Sequence, residues 1–494
     1  MQEWNVIVQN ALVGTQKMPL TIHATDSLLN NAIETIQLNT SIDDEERFLQ
    51  VAALVHQYQL SGLQFYTNQE ANLPIAEKET LQYCSATAQQ LLADTLLEKH
   101  DVFFNLWLQL CSTKQQIVAP HVLPQILQKA AQHKSYQPLV IECMGKRGEW
   151  LCKLNTEWQF AFSIADEEVW QTGTQTQRKK LLQQISNQNI DQAIDMLQQT
   201  WSQENAGAKT AFLEAIEENI HSLKNTSWLE GILIEKSIQV KNKAIHLLKK
   251  IPTSSIVLQY ASVLQQSISL KKEKILLGLS SKQVIEIQLT NNLPASIFST
   301  GIQQLSNSKE FTDEAYIIYQ LLQHTPPSYL EEWLQLNADT IIQFFIQQKN
   351  IQPYLSALVK STLQFNNVAW ANAIIQQSQV LYIQLMPLLS QQQQEIYSKQ
   401  LYKGNEFAII ENAYHWKQEW SVEFTSLFFQ FVAENPNIHG NYIYKAITNI
   451  PYASIEIIHQ FSPKNEYELG VWQQTKEEII RLLQLKQNII QSFQ

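Results

Sequence analysis

Two short stretches have the residue types for phosphate chemistry. Gly14-Thr15-Gln16-Lys17 and Gly145-Lys146-Arg147-Gly148 each place a cation close behind a glycine. A phosphate loop needs a strand, then Gly-x4-Gly-Lys-Ser/Thr, then a helix, so that a row of backbone N–H groups cradles the phosphates. Neither stretch has that spacing, and an amphipathic helical pattern precedes each. The glycines are expected instead at left-handed positions that end helices, where a Cβ would strain the backbone.

The remaining chemistry-bearing residues are scattered. Cys84, Cys111, Cys143 and Cys152 form no Cys-x-x-Cys pair, and the eleven histidines form no His-Glu-x-x-His. Cys143 and Cys152 flank the Gly145–Gly148 turn and read as small buried apolar side chains. His246 falls inside an apolar stripe and reads as a core or boundary histidine. The carboxylate runs Asp43-Asp44-Glu45-Glu46 and Asp166-Glu167-Glu168 read as helix starts, where the dipole favours negative charge. No catalytic, cofactor or metal residue is assigned on these patterns, and no cofactor is expected.

Binding chemistry is better represented. Lys146, Arg147, Trp150 and Trp158 combine forked or point cations with large aromatic area, the composition of interaction hot spots. Arg178-Lys179-Lys180 adds a basic run, followed by Lys249-Lys250 and Lys271-Lys272-Glu273-Lys274. The first two groups are the candidate partner-binding residues. If the basic runs shared one face they would meet phosphate or an acidic partner. A nucleic-acid-binding or base-processing protein with a basic concave face is therefore the alternative reading.

The elements that must position these residues are helices. The chain has 12 Gly and 14 Pro in 494 residues, too few for the tight turns of sandwiches, barrels or nucleotide-binding α/β domains. Charged residues make up 16% of the chain, and Gln and Asn keep the helix faces wet in their place. The net charge of −11 opposes sequence-independent nucleic-acid binding. Sparse, unpaired cysteines and an N-terminus without a basic start and apolar core point to the cytoplasm. No apolar run is long enough to span a bilayer.

Periodicity organises the second half. Stripes at Ile190–Trp201, Ala211–Ile216, a capping-box start at Ser227-Trp228-Leu229-Glu230 and a stripe at Ala244–Ile251 predict two helix pairs about 37 residues apart, within the range of two-helix solenoid units. Thr312 is expected to cap a further helix, and Ser328-Tyr329-Leu330-Glu331 repeats the capping-box pattern. Gln391–Gln394 reads as a solvated helical turn. The expected architecture is an all-α, HEAT-like solenoid of stacked helix pairs, with a less regular helical region over 1–158 and the repeat array over 159–494. No sheet is expected.

Three features together carry a family resemblance: Ala11-Leu12-Val13-Gly14-Thr15, the Gly145–Trp158 stretch, and the segment with Trp201, Glu204 and Leu229-Glu230. The chain resembles a bacterial family of helical proteins of unknown function, whose genes lie beside those for MoxR-type AAA ATPases, VWA-domain proteins and SWIM zinc-finger proteins. The chain departs from that pattern at Gln16-Lys17 and at Thr156. The resemblance covers the first half best and brings no catalytic residues. It implies a cytoplasmic accessory protein, a scaffold or adaptor whose protein partner is an AAA ATPase or a VWA-domain protein.

Overall fold

A computed structural model describes residues 2–61, 75–97, 101–161, 166–275 and 280–494. Helices dominate, and their starts show how a chain rich in Asn, Gln and Ser sustains them. Asp26, Asn189, Asn205, Ser237, Thr312 and Ser421 each accept a hydrogen bond from a backbone N–H of the first turn. Each such cap satisfies a donor that the helix itself leaves orphaned, about 1 kcal/mol apiece.

The two capping boxes expected at Ser227 and Ser328 do not form; the helices there have no side-chain cap. Their glutamates serve tertiary contacts instead. Glu230 accepts from the backbone N–H of Ser255 at 3.0 Å, and Glu331 from the Trp370 indole at 2.7 Å. Boxes do close at Thr174/Gln177 and Ser390/Gln393, where the neutral amide does the work of the usual glutamate.

The chain divides into two compact units, Met1–Ile75 and Ala76–Gln494. In the first, the helices Gln2–Val13, Ser27–Gln37 and Asp44–Ser61 gather around Ile7, Ile22, Leu29, Ile33, Val51 and Val55. Gly14 ends the first helix at φ +94°, as its spacing predicts. Asp43 caps the third and the acidic run occupies its first turn; its expected stop at Gly62 lies outside the described residues.

The second unit holds two cores. One joins its beginning to its end: Phe103, Trp107, Ile126 and Cys143 are buried with Phe424, Phe428, Trp472 and Leu482. The Trp107 ring meets Phe493 edge-on at 5.2 Å, and Ser85 Oγ donates to the Ser492 carbonyl. The other core runs from Trp170 to Leu389. The two units part at residue 75, and Trp158 packs against a core whose second half lies beyond 408.

A local recurrence appears within the second core. The helices Gln175–Gln188, Ala206–Ala215 and Ile238–Leu248 contact one another in series. Their N-caps, Thr174, Asn205 and Ser237, stand 31 and 32 residues apart. The helices that lie between them, Ile190–Thr200 and Ser227–Gly231, start 37 residues apart, the spacing expected from the sequence. Few of the residues in Gln175–Gln188 are apolar, so a search for apolar stripes passes over the helix that starts the series.

Strands are present too, against expectation. Ile268–Ile275 pairs antiparallel with Ser280–Ile287, and Gln82–Tyr83 pairs parallel with Gln116–Ile117. In the hairpin Ile268 and Ile285 face the core. The Gln348 side-chain amide bonds both N–H and C=O of Ile285, at 3.0 and 3.1 Å, and so imitates a further strand. Lys271-Lys272-Glu273-Lys274 thus lies on a strand rather than a helix flank. Among the described residues no helix is long and apolar enough to cross a membrane.

Candidate functional site

The Gly145–Trp158 stretch is a helix entered through a sharp turn at Gly145. Gln137–Cys143 ends, Gly145 takes φ +62°, and Gly145–Leu154 begins. The Glu79 carboxylate seals that start, accepting from the backbone N–H of Lys146 at 2.7 Å and of Arg147 at 2.9 Å. A Cβ on Gly145 would stand 2.5 Å from the same carboxylate. The N–H groups a phosphate would use are therefore already occupied by a residue 67 positions upstream. Gly148, expected at positive φ, is instead helical and packs on Met144.

The side chains of the stretch diverge. Lys146 Nζ bonds Glu149 at 2.9 Å, which raises its pKa, and the Arg147 residue is exposed. Trp150 is half-buried. Trp158 donates from its indole to Gln128 Oε1 at 3.0 Å and borders an open groove of about 790 Å³ with Leu96, Leu97, Pro124, Gln125, Lys129 and His133. The Lys129–Asp101 ion pair stands at its rim.

The Arg178–Lys180 run belongs to the other core and is largely committed within the molecule. The Arg178 guanidinium lies 4.5 Å from the Trp170 ring centre and 4.9 Å from that of Phe212. It bonds Glu204 at 2.5 Å. Lys179 bonds Glu214 at 2.7 Å, and Lys180 is exposed. The structure therefore does not bring the two candidate groups into one site.

The same parts recur 31 residues on. Lys209 lies 5.0 Å from the Trp201 ring centre and bonds Glu235 at 2.6 Å. Glu235 also accepts from the Trp201 indole at 2.9 Å; the Lys209 bond, over a smaller burial effect, lowers its pKa. Here the second ring comes from Trp228, perpendicular to Trp201 at 5.0 Å. Around it opens a pocket of about 580 Å³ lined by both indoles, Gly231, Ile232, Ile234, Glu235 and Lys236. At a shift of 31 the sequence sets Trp170 against Trp201 and Arg178 against Lys209, a signal carried by ring and charge rather than by apolar periodicity.

The other basic runs are held by carboxylates. Glu217 accepts from Lys243, from Lys250 at 2.6 Å and from the His246 ring at 2.8 Å. Burial opposes its ionisation, yet these three bonds bring its pKa to about 2. His246 is exposed and hydrogen-bonded to Glu217, outside the core. Lys249 is largely buried, which lowers its pKa, and Lys271 pairs with Glu286 across the hairpin. The Lys274 side chain, like those of Asp166 and Glu167, lies outside the described residues.

All four cysteines are buried. Cys84 and Cys111 meet at 3.4 Å, and Cys143 points at the Leu108 carbonyl rather than at Cys152. The neighbouring thiols of Cys143 and Cys84 push the Cys111 thiol up, and burial pushes Cys152 up to about 11. Neither is the thiolate a nucleophile needs. Among the described residues no group of three or more His, Cys, Asp or Glu is placed to hold a metal.

The model of a family of unknown function (DUF5691) matches residues 6–493. No curated protein and no solved structure matches the chain.

Proposed function

We propose that this chain, which belongs to the DUF5691 family, is a helical scaffold or adaptor that docks a protein partner. In this reading the recurring helices from Thr174 onward extend into a HEAT-like array, and such arrays present long continuous surfaces. The observation that carries the proposal is the open groove beside Trp158, where an indole, Leu96 and Leu97 meet glutamine amides. An apolar floor with a rim of glutamine amides and one ion pair is the chemistry of a protein contact, in which a few aromatic anchors supply most of the affinity. An AAA ATPase or VWA-domain protein as partner rests on the family resemblance alone.

Affinity purification from the native host with mass spectrometry tests this. A MoxR-type ATPase or VWA-domain protein should co-purify with the wild-type chain, and Trp158→Ala should reduce its yield at least about tenfold, the effect of losing one hot-spot aromatic. Recovery of no such protein counts against the adaptor role, and an unchanged yield with Trp158→Ala moves the contact elsewhere.

A further inference from the structure

Lys249 and His324 are joined by one glutamine. The Gln364 amide N–H donates to the Lys249 carbonyl at 2.6 Å, so its oxygen faces His324 Nδ1 at 3.1 Å, and that nitrogen carries the ring proton. Burial, and then the Lys249 charge, hold the ring's pKa at about 4, so at neutral pH Nε2 is left as a bare acceptor. The Tyr260 ring lies 6.4 Å from the imidazole, and the Tyr260 hydroxyl bonds Thr300. Gly301 follows Thr300, and a Cβ there would stand 3.6 Å from Lys249 Nζ. The ammonium and the imidazole, each half-buried, thus share one spot ringed by Gln364, Tyr260, Thr300 and Gly301.

Among the described residues nothing bonds Lys249 Nζ or His324 Nε2, yet neither atom is sealed from solvent. No carboxylate offsets the burial of Lys249. Glu217, bonded to His246 one turn before Lys249, is already shared with Lys243 and Lys250. Lys360, whose charge also reaches His324, donates to the Tyr319 hydroxyl at 3.2 Å. A surplus of cations around a partly dry ammonium is what an anion relieves. The bare Nε2 narrows the choice of anion. Chloride, sulfate and a carboxylate only accept at neutral pH and would meet its lone pair. The occupant must accept from Lys249 and donate to His324.

We propose that Lys249 and His324 bind one inorganic phosphate, whose charged oxygens accept from the Lys249 ammonium and whose remaining O–H donates to His324 Nε2. Inorganic phosphate keeps an O–H at neutral pH and so presents both kinds of group at once. Lys360 and the cations around Glu217 add longer-range attraction, which weakens with salt. The site lies among the residues of the Trp170–Leu389 core, away from the groove beside Trp158, and does not rest on the adaptor reading.

Equilibrium dialysis of the full chain against radiolabelled inorganic phosphate, at neutral pH and fixed ionic strength, tests this. Phosphate should bind saturably, one per chain. Sulfate should compete at least about tenfold more weakly, because a site that hydrogen-bonds a hydroxyl rejects the analogue without one. Methyl phosphate loses its last proton at about pH 6 and should compete about tenfold more weakly at about pH 7. Lys249→Met should keep or raise the melting temperature, since it removes an unpartnered ammonium, and should weaken phosphate at least about tenfold. His324→Phe should weaken phosphate and abolish its preference over sulfate. Absence of saturable phosphate binding, sulfate or methyl phosphate competing as well as phosphate, or unchanged binding in Lys249→Met overturns the proposal. The comparison of anions on the wild-type chain decides it even where a variant fails to fold.

Discussion

The Trp170 and Trp201 clusters use the same parts at the same spacing, an indole, a cation eight residues on and a glutamate reached across the turn, yet one is closed and the other open. In the first copy Arg178 lies against two rings that pack on each other, while the Trp170 indole N–H and Arg178 Nε are buried without a hydrogen-bond partner among the described residues. In the second the indole N–H is satisfied by Glu235 and the rings stay half-exposed. Close packing won in one copy and polar satisfaction in the other. A recurring unit thus closes over its rings in one copy and leaves them half-exposed in the next.

The sharpest break in that comparison is truncation of the rings. Phe212→Ala should cost about 3–5 kcal/mol in denaturant unfolding, because it empties a fully buried site. Trp228→Ala should cost about 1–2 kcal/mol, since much of that ring already faces water. Equal costs would mean that the second pair of rings is as much core as the first. Next in size come the cations. Arg178→Ala strands the Glu204 side chain, only 10% exposed, at about 3 kcal/mol or more. Lys209→Ala should cost less, about 1–2 kcal/mol, because Glu235 keeps the Trp201 indole and more water.

Acid should expose the third link of the series. Glu217 titrates near 2 in the fold against 4.5 unfolded, so its contribution is present above 4.5 and lost as pH falls from there toward 2. Its full shift corresponds to about 3 kcal/mol, and solvent screening at a side chain one-quarter exposed reduces this to about 1–2 kcal/mol. His324 is driven to about 4, first by burial and then by Lys249, against 6.5 unfolded. The unfolded chain therefore binds the extra proton first, and stability falls as pH drops from 6.5 to 4. Unfolding measured from pH 7 to 3 should show both windows; Glu217→Gln should remove the lower one and His324→Phe the upper.

The smallest effects contrast two glycines. Gly145→Ala should lose about 1–2 kcal/mol, through positive φ and the Glu79 carboxylate in the way of its Cβ. Gly231→Ala, at a helical φ with open space around it, should gain about 0.5 kcal/mol. A loss at Gly231 would show that the pocket wall is tighter than described.

Much of the helical framework was legible. The Thr312 cap, the Gly14 stop and the Gly145 turn followed from residue type and position, because each satisfies or relieves the backbone within a few residues. The sites were less so. Trp158 was visible as an aromatic, but its groove depends on Leu96, Gln128 and His133 arriving from other helices. Arg178 read as a surface cation because nothing nearby announces Phe212 or Glu204. The glutamates of the two expected boxes were drawn away by Ser255 and Trp370, distant partners that local spacing cannot reveal.

What the chain's order of residues settles alone is the helical character: few glycines, many straight-chain amides, and caps where backbone donors need them, all of which act over one turn. Tertiary structure alone decided which charges face water, which aromatics stay open, and that Cys84 and Trp107 share a core with Trp472 and Phe493. The reason is one of range. Capping and propensity act between neighbours along the chain, whereas burial, ion pairing and pocket formation depend on side chains that only the folded packing brings together.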